Sequence, residues 1–462
     1  MRSVCFALIL ALPVFAQQAN HQAPRQQLAR EIFQQLIEIN TTDSVGDNTR
    51  AAEAVAARFR AAGVPDADIH VLAPVAKKGN LIVRIHGTGT GSARPILFIG
   101  HLDVVEAKRS DWTLDPFEFR EQDGYFYGRG TSDMKGADAI LITTFLRLQQ
   151  EGFRPSRDLI LALTADEEGG PANGMDWLVK NHRDLIDAEF CVNSDGGGGN
   201  IKNGKQTFVG VQAAEKVFLS FQLEVTNSGG HSSLPRKDNA IYHLAEGLSR
   251  LARFDFPVRL FDVTRGQFER VAALYPGQLG ADLKAIGQNP NDAALVARLS
   301  AQPLYNALIR TTCVPTMMTA GHAENALPQS ASAVVNCRLL PVDNAADVQK
   351  TLREVLADPA ISVTEMAPAK LGNYKPMNQQ LMSAVTAATN KHWPGLPVIP
   401  LMTTGASDGV YLNVAGIPTY GVDGIFRDQD DVRAHGKDER ILVKSFYEAL
   451  DFIYDVTVAL GR

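Results

Sequence analysis

Cysteine is scarce in this chain, with four residues in 462, and Cys5 falls within an apolar stretch at the N-terminus. The remaining Cys191, Cys313 and Cys337 allow at most one intramolecular disulfide, so no disulfide framework holds the fold. A block of Lys and Arg is also missing. With 45 basic against 51 acidic residues the net charge is −6 and the signs are mixed, which argues against a nucleic-acid partner. No apolar run reaches the ~18 residues that a membrane-spanning helix needs. Low-complexity tracts and short internal repeats are absent. What is present is a globular composition, 45% hydrophobic and 21% charged, on a chain too long for one ordinary domain.

The first residues, "MRSVCFALILALPVFAQQA", carry Arg2, an apolar core from Val4 to Leu12, and Val14 and Ala16 at small-residue cleavage spacing. Residues 1–16 are therefore expected to be a signal peptide, and the mature protein to be secreted or periplasmic. The low cysteine count fits a periplasm better than a disulfide-rich route.

Beyond this segment, "RQQLAREIFQQLIEIN" has helical spacing at Leu28, Ile32, Leu36 and Ile39, and "NTRAAEAVAARFRAAG" reads as a helix stopped by Gly63. The runs "NLIVRIHG", "PILFIGHLDVV", "DLILALTADEE" and "AEFCVNSD" are near-continuously apolar, with a helix over "KGADAILITTFLRLQQEG" between two of them. That alternation predicts an α/β fold with a mostly parallel sheet covered on both faces. From about Glu215 the pattern changes. "KVFLSFQLEVT" alternates as a half-exposed strand does, and strands and helices follow in an α+β order as far as "AISVTEMAP". Residues 215–369 are expected to be an inserted α+β domain, with an elaboration at about 255–310, inside a catalytic domain made of 17–214 and 370–462.

Polar residues stand where the apolar strands finish: His101 after "ILFIG", Glu167 and Glu168 after "LILALTAD", and Asp195 after "FCVNS". Ligand sites in open α/β sheets lie beyond the carboxyl ends of the strands. With Asp133 in the turn "YGRGTSDMKG" and His435 in "VRAHGKDER", these form a nitrogen and oxygen donor set suited to zinc, or to manganese or cobalt. Individually, each has an ordinary alternative as a turn residue, a solvated acid or a surface histidine. Their joint placement at successive strand ends does not. Positions i and i+2 of a strand point to the same face, so Asp103 is expected beside His101, where it can orient the imidazole.

The ordered segments "GHLDVV", "GRGTSDMKG", "TADEEGG", "NSDGG", "GGHSSLP" and "AHGKDE" resemble those of the di-zinc metallopeptidase family that includes glutamate carboxypeptidase, carnosine dipeptidase, aminoacylase and succinyl-diaminopimelate desuccinylase, and especially its carboxypeptidase S-like branch. The resemblance implies a zinc-exopeptidase-like catalytic domain with a lid and dimerisation domain. It implies two Zn2+ per chain, with Co2+ or Mn2+ as substitutes. Asp133 would bridge them, His101 and Asp195 would complete one site, and Glu168 and His435 the other. Asp103 would hold the His101 ring, and Glu167 would be the general base. His231 would reach an active site across a homodimer interface. Arg338, Asn325, Gly405 and Ser407 match positions that contact the substrate carboxylate or line its pocket; Arg338 also reads as a strand-edge residue and Asn325 as a turn residue.

The expected chemistry is attack by a metal-activated water, with Glu167 moving the proton. "GASDG" does not match a nucleophile elbow, and no serine or cysteine nucleophile is needed. The expected function is a carboxypeptidase or dipeptidase acting on small peptides with a free C-terminal carboxylate. The alternative is an N-acyl amino acid amidohydrolase using the same site.

Overall fold

The computed structural model describes residues 14–89, 93–372 and 374–462. Apart from its last three residues, which open the helix Val14–Glu38, the expected signal segment lies outside the described residues. No helix among the described residues is long and apolar enough to cross a membrane.

The large sheet runs in the order Ile69–Leu72, Asn80–Ile85, Leu159–Thr164, Ile96–His101, Phe190–Asn193, Thr419–Gly421, Lys205–Glu215, Gly198–Lys202 and Phe426–Asp428. Strand Val398–Thr403 pairs in parallel beside Lys205–Glu215. The four strands from Leu159–Thr164 to Thr419–Gly421 are parallel to one another, and antiparallel pairings lie to either side of them. The expected mostly parallel α/β architecture is what forms.

Successive strand residues point to opposite faces, and the core shows it directly. Ile96 and Phe98 join one buried cluster with the helices Val14–Glu38, Lys135–Gln150 and Val443–Gly461. Leu97 and Ile99 join another, with residues of Gly174–Asn181 and Gly409–Val414. A sheet covered on both faces has no polar side, which is why these strands read as unbroken apolar runs. The helix Asn48–Ala61 ends as expected, with Gly63 at φ 82° in the left-handed region.

A second, antiparallel sheet has the order Thr312–Ala320, Ser330–Leu339, Val217–Thr226 and Ser362–Glu365. Val217–Thr226 alternates buried and exposed residues as its sequence suggested. The buried set packs beneath the helices Ala240–Leu251 and Ala345–Leu356. Cys313 and Cys337, directly opposed on adjacent strands, form a disulfide, while Cys191 is free and buried.

The elaboration forms four helices, Asp262–Ala272, Gln278–Ile286, Ala293–Ser300 and Pro303–Ile309. These share a core with Ile399 and Met402 of the large sheet, and Gln267 Oε1 accepts from the Met402 amide at 3.0 Å. Although they lie in sequence between Val217–Thr226 and Thr312–Ala320 of the second sheet, these helices cover the edge of the large sheet. At the crossing between the sheets, Lys216 is fully buried and donates to the carbonyls of Ala307 and Arg310, both at 2.8 Å.

Gly100, immediately before His101, has no room for a side chain, because a Cβ there would run into Asp138 Oδ1 and come within 2.8 Å of Met134 Cε. Gly100→Ala should cost about 1–3 kcal/mol of stability through overpacking. In an Asp138→Ala background most of that cost should vanish, since the two sites share the space. Denaturant unfolding of the four proteins in the cycle checks this. An undiminished penalty would place the clash on Met134 instead.

Candidate metal centre

Because Ile96–His101, Leu159–Thr164 and Phe190–Asn193 are parallel, their carboxyl ends lie on one edge of the sheet. His101 closes the first strand, Glu167 and Glu168 lie just beyond the second, and Asp195 just beyond the third. The loop before helix Lys135–Gln150 brings in Asp133, and the loop between Phe426–Asp428 and Arg440–Leu442 brings in His435.

These side chains converge. His101 Nε2 lies 3.3 Å from Asp133 Oδ1, 3.9 Å from Glu167 Oε2 and 4.0 Å from Asp195 Oδ1. The other oxygen of Asp133 lies 3.2 Å from His435 Nε2, which is also 2.9 Å from Glu168 Oε1. Asp133 thus faces a histidine with each oxygen. Two overlapping groups have ligand atoms within 4.8 Å of one another: His101, Glu167 and Asp195, and His101, Asp133 and Glu168. His435 belongs with the second through its contacts with Asp133 and Glu168.

Main-chain hydrogen bonds hold the donor loops. The strand ends at His101, so Asp103 does not continue its face. Instead the Asp103 carbonyl takes the hydrogen bond of His101 Nδ1 at 3.1 Å, and its carboxylate stands 3.6 Å off. That carboxylate accepts from the amides of Glu167 and Glu168, at 3.1 and 2.9 Å. Asn193 Oδ1 accepts from the Asp195 amide at 2.9 Å. Glu439 Oε1 accepts from the amides of Ser132 and Asp133, at 2.7 and 2.9 Å.

The electrostatics are those of acids and histidines crowded together in a buried place. Burial, with Asp195, Asp408 and Glu168 close by, pushes Glu167 up to about 10, and burial beside Asp133 raises Asp195 well above the carboxylate range. Burial disfavours charge on His101, yet Asp133, Glu167, Asp103 and Asp195 together raise its pKa well above the usual value. Asp133 and Glu168 raise His435 to about 10. His101 Nε2 is buried and lacks a well-aligned hydrogen-bond partner. An orphaned imidazole nitrogen facing several carboxylate oxygens fits a first-row cation with nitrogen and oxygen ligands.

A cavity of about 420 Å³ opens on these groups, lined by Asp133, Glu167, Glu168, Asp195 and His435 and also by Gly405 and Ser407. The Ser407 hydroxyl is fully engaged. It accepts from Asn193 Nδ2 at 3.0 Å and from the Gly409 amide at 3.2 Å, and donates to Glu215 Oε2 at 2.9 Å. His231, Asn325 and Arg338 are not among the lining residues. His231 is exposed and paired across a short ladder with Ala326, next to Asn325, whose carbonyl accepts from Ser232. Arg338 is half-buried on the second sheet, its guanidinium carbon 4.8 Å from the centre of the Phe218 ring.

Sequence reading missed four residues that shape the site. Glu439 and Glu215 are buried carboxylates that hold loops. Asp408 accepts from Thr164 Oγ1 at 2.6 Å and from Asn173 Nδ2 at 2.8 Å beside Glu167. Arg427 pairs with Asp423 and donates to the Ser132 carbonyl at 3.2 Å. Glu439 and Asp408 stood inside the quoted motifs "AHGKDE" and "GASDG", which was their available signal.

Comparison with known proteins places the chain in a family. Residues 97–458 match the model of the family described as peptidase family M20/M25/M40. A probable carboxypeptidase S-like 2 from Dictyostelium discoideum is 29% identical over 381 residues, 79% of this chain and 71% of that protein. The N-fatty-acyl-amino acid synthase/hydrolase PM20D1 of Homo sapiens is 28% identical, over 79% of this chain and 74% of its own. In fold, the chain is similar to an M20 family metallo-carboxypeptidase from Sulfolobus solfataricus, with a TM-score of 0.69 at 19% identity over 94% of this chain and 99% of that one. It is also similar to human carnosine dipeptidase 1, with a TM-score of 0.63 at 15% identity over 97% and 100%. The chain belongs to peptidase family M20/M25/M40 and is a hydrolytic metalloenzyme.

Proposed function

We propose that this enzyme hydrolyses the amide bond next to a free carboxylate in small peptides, as a carboxypeptidase or dipeptidase, with two zinc-class cations. The observation that carries this reading is the position of Asp133, one oxygen toward His101 and the other toward His435. His101 and Asp195 would hold one cation and Glu168 and His435 the other. When bound, the cations supply Lewis acidity, polarising the scissile carbonyl and acidifying the attacking water. Glu167 Oε2 stands 3.9 Å from His101 Nε2, and Glu167 lines the cavity. It would take the proton of the attacking water and return it to the leaving nitrogen. Residues 215–369 would act as a lid over this cavity, and residues 1–16 as a signal peptide sending the enzyme out of the cytoplasm.

A second reading, hydrolysis of N-acyl amino acids, is supported by the cavity wall, where Tyr125, Phe426, Val432, Ile441 and Leu442 offer apolar surface to an acyl chain. The curated relative PM20D1 is named for that chemistry. Matched dipeptides and N-acyl amino acids assayed side by side separate the two readings.

Glu167→Gln keeps size and hydrogen-bonding capacity but removes the base. It should retain the metals and lose about 100-fold or more in kcat. Elemental analysis and steady-state kinetics of the variant check this. Loss of metal in Glu167→Gln together with its retention in Glu168→Gln would mean that the two roles are exchanged.

Arg338 would read the substrate carboxylate. Among the described residues it has no carboxylate partner, and burial lowers its pKa, the situation of a cation awaiting an anion. Amidating the substrate's terminal carboxylate should cost roughly 2–5 kcal/mol of transition-state binding. Arg338→Ala should cost as much on the free acid, and the two losses should not add. A kcat/KM cycle over both substrates and both enzymes is the measurement, and equal cleavage of amidated and free substrates would discard this role.

A homodimer through the second sheet is supported by its exposed edge strand, where Val314, Met317 and Met318 are 56%, 67% and 65% exposed, and by exposed Ile241 and Tyr242 on the adjoining helix. With His231 working across the interface, mixing inactive Glu167→Gln and His231→Ala chains should restore part of the activity. Demonstrated subunit exchange without any rescue would assign His231 to its own chain's site or to structure alone.

A further inference from the structure

Glu439 does more than fill space beside the centre. It is fully buried, close in sequence to His435, and it ties the His435 segment to the loop that carries Asp133. Its Oε1 accepts from the amides of Ser132 and Asp133, at 2.7 and 2.9 Å. Its Oε2 accepts from the Gly130 amide at 3.1 Å and from Arg129 Nη1 at 2.6 Å. The Glu439 carbonyl accepts from the Gly128 amide at 3.2 Å. Arg129, lying over Trp112, completes the tie by donating from Nη2 to the His435 carbonyl at 3.4 Å.

The two halves of the centre are fixed in different ways. On one side, His101 closes a strand in mid-sheet and is oriented by the Asp103 carbonyl, and the Asp195 amide is held by Asn193. None of these bonds involves Glu439. On the other side, His435 sits in a loop at φ 61° with its side chain about half exposed. Asp438 anchors that loop to the amides of Thr113 and Leu114, at 2.9 and 3.3 Å, which sets no distance to Asp133. The Asp133 loop has a second hold, through Arg427 donating to Ser132 Oγ and the Ser132 carbonyl, both at 3.2 Å. Without Glu439 the Asp133 loop keeps an anchor, while the spacing between His435 and Asp133 loses its direct restraint.

We propose that Glu439, braced by Arg129, is a positioning residue for the His435 half of the centre alone. It sets the separation of His435 from Asp133 and thereby the affinity for one of two cations. The inference rests on the two-metal reading above. Partners that orient metal ligands typically change affinity by about 10–100-fold when removed, and here that change should fall on one equivalent only.

The test is titration of the metal-free full chain with Zn2+ in competition with a chromophoric chelator, with thermal unfolding of each metal-free protein alongside. Wild type should take up two equivalents. In Glu439→Gln the first equivalent should bind within about 3-fold of wild type and the second about 10–100-fold more weakly. Removing the charge leaves Arg129 buried without its partner, so Arg129→Lys is the companion variant. It keeps a cation for Glu439 but loses the fork that reaches the His435 carbonyl, and it should show the same one-sided weakening, carrying the test if Glu439→Gln does not fold. Two equivalents in wild type, with equal weakening of both or of neither in a folded variant, overturn the inference and leave the two-metal reading standing. Fewer than two equivalents in wild type overturn that reading, and this inference with it.

Discussion

The mutual repulsion of carboxylates crowded at one edge of a buried sheet is the constraint that organises this protein. Asp133, Glu167, Glu168 and Asp195 share one cavity wall. At an effective dielectric of about 20, two unit charges 4 Å apart interact by about 4 kcal/mol. A hydrogen bond to a charged group contributes only about 1.5–3 kcal/mol. Amide donors can therefore fix where each loop sits without cancelling the repulsion. Cations can do the latter, at a site where burial first, and neighbouring carboxylates second, raise the pKa values of Glu167 and Asp195.

The loops are built so that this tension does not open them. Side-chain oxygens that are not themselves metal-ligand candidates accept from the main chain beside the ligands: Asp103 at Glu167 and Glu168, Asn193 at Asp195, and Glu439 at Asp133. Gripping the main chain leaves the ligand side chains free to turn toward the cavity. The large sheet supplies the reference frame, since three parallel strands deliver their ends to one edge in register.

The fold and the donor set were largely legible because each leaves a local trace. Continuous apolar runs announced the covered sheet, and the polar residues that ended them announced the centre. The i, i+2 argument for Asp103 went astray for a physical reason: the strand stops at His101, and alternation holds only within a strand. Glu439 was missed because accepting main-chain amides from a distant loop imposes no spacing on the sequence. The stretch at about 255–310 was readable only as an elaboration, and nothing local reveals that the apolar faces of its helices meet Ile399 and Met402. Arg338 and Ser407 were singled out only through the resemblance, and their partners in the structure, the Phe218 ring and the Glu215 carboxylate, are set by strand pairing and turn geometry.

The second sheet carries one asymmetry with a consequence for growth. Its two outer strands are unequal: Thr312–Ala320 is long and interrupted near Pro315 by a register shift, whereas Ser362–Glu365 is a short stub. A sheet with two long free edges can add copies at both and grow into a filament. Here strand-by-strand polymerisation has one long start point and nowhere comparable to continue. A copy docked along Thr312–Ala320 in a twofold arrangement would consume that start point on both molecules, so any self-association through this sheet would stop at a closed pair.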